Sequence, residues 1–187
     1  MLNQIAAIHD GGAAAGGGTS YESIATVTVG SGGSSSIDFT SIVGTYKHLQ
    51  IRGIARSTSA VTASNLRLRF NSDTGSNYAV HYLGGDGASA YAGASVSSTK
   101  GYAGLTSGAS ATSGIMGASV VDILDYSNTS KNKTIRALSG VDLNGSGYME
   151  LDSSFWNNTG AVTSISLFFD SGNLAQYSQF ALYGIKG

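Results

Sequence analysis

Three histidines could in principle activate a hydroxyl nucleophile, and their positions argue against that role. Hydrolases on β folds pair a nucleophile with a positioned base. His9 lies near the start of the chain, while His48 and His81 fall in strand-like segments on the face opposite their apolar neighbours. No Gly-x-Ser-x-Gly turn joins a strand to a helix, and no cysteine supplies a thiol. We therefore predict that the protein is not an enzyme.

Paired carboxylates would be the machinery of a glycan-cleaving protein. The acidic residues that could form such a pair are Asp122, Asp125, Asp142, Glu150 and Asp152. Asp122 and Asp125 lie near the end of a predicted strand, where acids are usually solvated. Acids at this density are ordinary for a chain of this length, so the sequence favours no catalytic pair among them.

The segment DLNGSG at 142–147 resembles the first half of a calcium loop, with oxygen ligands at alternate positions and glycine in sixth place. The twelfth position, where a bidentate glutamate would complete the site, is Ser153. Asn-Gly is also the favoured pair of a tight hairpin turn. We predict a hairpin turn here, and no metal or cofactor anywhere in the chain.

The composition narrows the class of protein. Of 187 residues, 41% are hydrophobic and 11% charged, with 27 glycines, no proline and no cysteine. Ten basic and eleven acidic residues leave a formal net charge of −1, without the basic stripe of a nucleic-acid binder. No run of about 18 apolar residues could span a membrane. The sequence therefore predicts no nucleic-acid partner and no membrane partner.

Period-two alternation of apolar and polar residues predicts strands throughout, with turn signals every ~8–12 residues. The predicted strands cover 22–29, 36–39, 46–56, 65–71, 77–83, 115–126, 133–143, 148–156, 162–169 and 176–185. The Gly/Ser/Ala-rich stretch 84–114 is weakly β at best. We predict an all-β fold: a single antiparallel β-sandwich, jelly-roll-like, of about ten strands, spanning 20–187 behind an N-terminal arm at 1–19.

The segment NLRLRFN at 65–71 shows the clearest alternation. It predicts Leu66, Leu68 and Phe70 in the core, with Arg67 and Arg69 on the opposite, solvent-facing side.

Ten tyrosines and one tryptophan could serve a core or a binding surface. Trp156 ends a predicted strand, where it could fill the space between the sheets or anchor a loop tip. The first interpretation is favoured because large aromatics in sandwiches usually lie between the sheets.

The N-terminal segment combines an apolar tip with a Gly/Ala tract. Leu2, Ile5 and Ile8 are spaced three apart, followed by His9, and a free tail gives them no reason to be apolar. A groove in a partner would bury them, so these four residues are the predicted partner contacts. The alternative is a frayed terminus.

Four segments resemble a group of short virion proteins of tailed phages, including cyanophages. They are SYESIATVTVGSGGSSSIDFTSIVGTYKHLQIRGIAR (20–56), LRLRFNSDTGSNYAVHYLGGDG (66–87), GASVVDILDYSNTSKNKTIRALSG (117–140) and FALYGIKG (180–187). GTYKHLQIR together with the terminal FALYGIKG carries most of the resemblance. It implies a virion component with a jelly-roll-type β-sandwich, and similar domains serve in capsid decoration and in tail fibres.

From the resemblance and the chain length we expect a capsid decoration or cement protein that stabilises the phage head by protein–protein contacts. Its expected partners are the major capsid protein and copies of itself, with a homotrimer as the expected assembly. Its expected location is the virion, assembled in the host cytoplasm. The alternative is a tail-fibre or receptor-binding domain that recognises a host-surface glycan.

Overall fold

A computed structural model describes residues 20–187, and this part of the chain contains strands and no helix. The twelve strands are β1 (Tyr21–Thr28), β2 (Ile37–Phe39), β3 (His48–Ala55), β4 (Ala63–Phe70), β5 (Tyr78–Gly85), β6 (Ala90–Ser98), β7 (Gly101–Ser107), β8 (Gly117–Leu124), β9 (Lys133–Asp142), β10 (Gly147–Trp156), β11 (Ile165–Phe169) and β12 (Gln179–Ile185). No helix in this range is long and apolar enough to cross a bilayer.

The strands form two antiparallel sheets. The larger sheet has eight strands in the order β1-β12-β3-β8-β9-β10-β5-β6, and the smaller has four in the order β2-β11-β4-β7. All pairings between named strands are antiparallel. The predicted all-β sandwich is confirmed. Because the larger sheet has twice as many strands, the smaller one cannot cover its whole inner face.

All ten predicted strands are present, and the stretch predicted to be weakly β supplies the other two, β6 and β7. The sequence did not predict these two strands because they are rich in Gly, Ala and Ser, which have low strand propensity. Two glycines there are required by close packing: the ring of Tyr91 lies over Gly84, and the ring of Tyr82 lies over Gly93, so a Cβ at either glycine would overlap a ring. These reciprocal pairs join β5 to β6.

The apolar core lies between the smaller sheet and strands β3, β8, β9 and β12 of the larger one, with Tyr78 of β5 and Trp156 of β10 extending it. Leu66, Leu68 and Phe70 are fully buried, as the alternation predicts. Trp156 is 1% exposed, which confirms its core position. Its ring stacks on Tyr78 at 6.3 Å between centroids, and its Nε1 donates to Asp73 Oδ2 at 2.7 Å.

Strand β7, the edge of the smaller sheet, lies against the inner face of the larger sheet, and three serines contact its backbone. Ser139 Oγ accepts from Leu105 N at 2.9 Å, and Ser154 Oγ accepts from Tyr102 N at 3.1 Å. Ser119 Oγ donates to the carbonyl of Ala103. We call Ser119, Ser139 and Ser154 the serine row. It satisfies backbone groups that β4 cannot reach, so β7 separates the apolar core from a second, polar compartment.

The predicted solvent exposure of Arg67 is wrong. Arg67 does lie opposite Leu68, yet it is only 6% exposed. Its guanidinium sits 3.6 Å from the ring centroid of Tyr102 on β7, and its Nη2 pairs with Asp170 Oδ2 at 2.6 Å. The alternation gives the correct face, but contacts from β7 and from the end of β11 cover that face. Arg69 is partly exposed, as predicted for its side of the strand.

Candidate functional site

Strand β10 ends with Trp156 in the core, but in its central part polar residues face inward and large apolar residues face outward. Glu150, Asp152 and Ser154 are 5%, 0% and 1% exposed, whereas Met149 and Leu151 are 58% and 45% exposed. Burying polar groups costs free energy unless partners satisfy them, and exposing large apolar side chains forgoes their burial. Both faces of β10 are therefore candidate binding surfaces.

Cross-strand pairing extends the outward apolar surface over five neighbouring strands. One row holds Val120, Leu138, Leu151 and Leu83, and the next holds Ile54, Ala118, Gly140 and Met149. We call these eight residues the apolar outer face. With strands ~4.8 Å apart and rows ~6.8 Å apart, it covers roughly 300 Å². Exposed apolar patches of this size commonly mark interaction sites.

A groove of about 1120 Å³ deepens one end of the apolar outer face. The small residues Ala118 and Gly140 contribute to its floor, and Met149 lines it. The turns at 85–88 and 142–147 also line it, one from each neighbouring hairpin. The neighbouring row of the same face is polar and contains Gln50 and Asp122. In this row, Gln50 Nε2 donates to Asp122 Oδ1 at 2.6 Å.

On the inner face, beyond β7, the two sheets enclose a smaller pocket of about 310 Å³. We call it the tyrosine pocket. Its main lining residues are Asn65, Tyr82, Tyr91, Tyr102, Tyr148 and Glu150, from strands β4, β5, β6, β7 and β10. The rings of Tyr82 and Tyr102 stack at 5.8 Å between centroids. All four tyrosines are half-buried, so the pocket is aromatic and remains open to solvent.

Two carboxylates lie beside each other at this pocket, because residues two apart on a strand share a face. Within residues 20–187, Glu150 Oε1 and both carboxylate oxygens of Asp152 are buried without a hydrogen-bond partner. The buried hydroxyl of Tyr91 and Nη1 of Arg67 also have none in that range. Buried polar groups are nearly always bonded, and interactions of Tyr91 with Glu150 and of Glu150 with Asp152 contribute to their pKa values. These groups are therefore one another's neighbours, and Glu150, which lines the pocket, is the acceptor that a ligand can reach.

The electrostatics of the pocket reflect burial. Burial raises the pKa of the Asp152 carboxyl to about 7; the negative charge of Glu150 adds to the rise, and the charge of Arg67 opposes it. Burial also raises the pKa of Glu150. The pKa of Tyr91 is raised to about 12, first by burial and then by the charge of Glu150. The pair therefore retains a proton at pH values where ordinary carboxyls are ionised.

Arg67 interacts both with Asp170 and with this carboxylate pair, since its charge counteracts the rise in the pKa of Glu150 and of Asp152. Arg67 Nε donates to Asp170 Oδ2 at 2.7 Å, and Lys100 also pairs with Asp170. Burial alone would raise the pKa of Asp170, but the hydrogen bonds and charges of Arg67 and Lys100 lower it. The two cations carry one positive charge more than Asp170 neutralises, and this charge offsets a Glu150–Asp152 pair that retains one proton.

Of the five acids considered from the sequence, only Glu150 lines the tyrosine pocket, and Asp152 lies fully buried on the same face of β10. Asp122 belongs to the polar row outside, 3.7 Å from Arg136. Asp125 pairs with Lys47 at 2.8 Å and with Lys131 at 2.7 Å, and hydrogen bonds from Lys131 and then Lys47 lower its pKa.

The segment 142–147 forms the predicted hairpin turn between β9 and β10. Asn144 and Gly145 both have positive φ, 61° and 114°, as a two-residue hairpin turn requires. Asp142 Oδ1 accepts from Asn144 N at 2.8 Å, so its carboxylate stabilises the turn. In the described part of the chain, no three or more His, Asp or Glu residues are grouped to hold a metal ion.

Both histidines in strands point away from the core. His48 Nδ1 accepts from Asp125 N at 3.0 Å, and His81 is exposed on the outer face of β5. The four predicted partner contacts, Leu2, Ile5, Ile8 and His9, lie outside the described residues.

The sequence interpretation did not single out the four tyrosines of the pocket. One signal was present: Tyr-Ala-Gly occurs at 91–93 and again at 102–104, once in β6 and once in β7. Comparison with protein-family models, with curated proteins and with solved structures finds no match for this chain.

Proposed function

We propose that this protein is a structural component of a tailed-phage virion, acting as a capsid decoration protein that binds other virion proteins without catalysis. The observation that carries the proposal is the reversed polarity of β10, which leaves Leu151 and Met149 exposed on the outer face of the larger sheet. Such residues are stabilised when a partner covers them. The resemblance of segments 20–56 and 180–187 to short virion proteins supports the same role.

The size of the apolar outer face favours a particle-bound partner over a free dimer. A stable interface buries about 800 Å² on each partner, and the apolar outer face covers roughly 300 Å². One such contact is weak by itself. A protein that contacts a capsid lattice at many symmetry-related positions gains from multivalency. We therefore propose the major capsid protein as the occupant of this face, with neighbouring copies of the chain providing further contacts.

The proposal is tested by attachment to particles lacking the protein. Leu138→Lys and Leu151→Lys each place a charge in the centre of the apolar outer face, where the side chains are 51% and 45% exposed, so folding should be retained. We expect both variants to lose most of their occupancy after washing. Thr134→Lys is the matched control, exposed on the same face of β9 outside the two apolar rows. Equal occupancy of all four proteins would refute the docking face.

A second experiment addresses the arm. Deleting residues 1–18 removes Leu2, Ile5 and Ile8 and leaves every described strand in place. We expect the truncated protein to fold and to attach more weakly, because complete burial of each such side chain is worth ~1.5–3 kcal/mol before ordering costs. Full occupancy after the deletion would show that the arm contributes nothing to attachment.

The copy number per virion distinguishes a decoration protein on the head from a tail-fibre protein. Quantitative mass spectrometry of purified virions should find this chain in numbers comparable with the major capsid protein. A ratio typical of tail components would reject the decoration role and favour glycan recognition on the tail.

A further inference from the structure

We propose that the tyrosine pocket binds one ring of a neutral sugar, with Glu150 accepting hydrogen bonds from the ring hydroxyls. This inference goes beyond the protein-binding role and concerns the opposite face of the larger sheet, so either can fail without the other. It holds whether the protein sits on the head or on the tail.

The unsatisfied atoms define the polarity of the ligand. Glu150 is 95% buried (5% exposed) and lines the pocket, yet its Oε1 has no donor in the described chain. Asp152, two residues further along β10, is fully buried and does not line the pocket, so Glu150 is the carboxylate that a ligand reaches. A ligand that suits this group must supply hydrogen-bond donors. Sugar hydroxyls do so at neutral charge, and Asn65 adds an amide that can both donate and accept.

The aromatic lining defines the ligand's shape. The four tyrosines leave flat apolar surfaces next to the acceptors, the combination that suits a pyranose ring with one C–H face and a rim of hydroxyls. Tyr102 already has Arg67 3.6 Å from its centroid and stacks with Tyr82. The ring of Tyr91 covers Gly84 and packs against Tyr82, so Tyr148 is the ring most available for a ligand. A volume of about 310 Å³ is at the small end for ligand pockets, which fits a single ring.

The charge balance selects against other ligand classes. Arg67 and Lys100 together offset Asp170 and a Glu150–Asp152 pair that retains one proton, so the pocket has no net positive charge to attract phosphate or acidic sugars. A divalent cation requires more oxygen ligands than two neighbouring carboxylates supply. An organic ammonium ion is the remaining competitor, because aromatic rings with a carboxylate also attract cations. The experiment includes it.

The test is saturation-transfer difference NMR on the full chain with glucose, galactose, mannose and N-acetylglucosamine, and with tetramethylammonium as the cationic probe. We expect transfer to the ring protons of at least one sugar. Glu150→Gln should weaken its binding about tenfold, the loss expected for a charged acceptor. Glu22→Gln is the matched control, with the same change on an exposed residue of β1 at the far edge of the sheet. It should bind as the unmodified protein does.

Tyr148→Ala provides a second variant if Glu150→Gln fails to fold, since Tyr148 is half-buried at the rim and its loss should also weaken sugar binding. No transfer to any of the four sugars would overturn the proposal. So would stronger transfer to tetramethylammonium, or sugar binding unchanged in both variants.

Discussion

Ser139 Oγ on β9 accepts a hydrogen bond from the backbone N–H of Leu105 on β7 at 2.9 Å, so a side chain of one sheet satisfies the edge of the other. Ser139 is 2% exposed, so water does not compete for this hydrogen bond. Together with the other two members of the serine row, Ser139 anchors β7 between the apolar core and the tyrosine pocket. Its contribution to the free energy of unfolding can be measured.

We expect Ser139→Ala to lower the free energy of unfolding by about 1–3 kcal/mol, because the amide of Leu105 would be left buried without an acceptor. Urea denaturation measures the change. Ser153→Ala, on the exposed face of β10, is the control and should change stability by less than about 0.5 kcal/mol. Equal effects of the two substitutions would mean that the serine row does not support β7.

The buried carboxylate Asp152 should make the protein less stable as the pH rises from about 4 to about 7. Its pKa is raised to about 7 in the folded protein, by burial first and by Glu150 next. In the unfolded chain its pKa is ~3.9. Across that window the folded protein holds a proton that the unfolded chain has lost, so stability falls with rising pH.

Asp152→Asn should reduce this dependence, leaving the part due to Glu150, and stabilise the protein at pH 8 by on the order of 1–4 kcal/mol, with little effect at pH 4. Thermal or urea unfolding at several pH values measures it. Asp142→Asn in the exposed turn is the charge-matched control. The lowered pKa values of Asp73 and Asp170 act in the opposite sense, and that stability is lost only as the pH falls through and below about 4. A wild-type protein whose stability does not fall between pH 4 and 7 would contradict the buried position of this carboxyl.

The two arginines of β4 should differ in their effect on stability. Arg67→Ala is expected to cost about 2–3 kcal/mol, since it removes the stack on Tyr102 and a buried partner of Asp170. Arg69 is partly exposed, with its Nε donating to the carbonyl of Thr99 and its guanidinium over Phe168. Arg69→Ala should therefore cost less than about 1 kcal/mol. Indistinguishable losses in urea denaturation would show that Arg67 is solvated.

Substitutions on the core face of β4 should destabilise the protein more than those of its arginines. Leu68→Ala and Phe70→Ala should each lower the free energy of unfolding by about 2–5 kcal/mol, because both side chains are fully buried and the cavity left behind is only partly filled. Ile54→Ala, at 43% exposure on β3, is an apolar control that should have a much smaller effect. Equal losses at all three positions would argue against the register of β4.

The fold class and the positions of ten strands follow from local patterns in the sequence. Alternation is a local property, and a residue's side of a strand follows from its parity, so Leu68, Phe70 and Trp156 could be assigned correctly. The turn at 142–147 followed from Asn144-Gly145 for the same reason. The sequence did not reveal β6 and β7, because their glycines are selected by tertiary contact rather than by strand propensity: Gly93 of β6 lies under the ring of Tyr82, and Gly104 of β7 lies against Ser139.

Which face of each strand is solvated depends on long-range packing. Parity places Arg67 opposite Leu68, but the position of β7 decides whether that face meets water. Parity likewise separates Glu150 and Asp152 from Met149 and Leu151, yet the side that becomes the interior depends on the strands that pair with β10. Both candidate sites arise from those long-range pairings, and no local pattern encodes them.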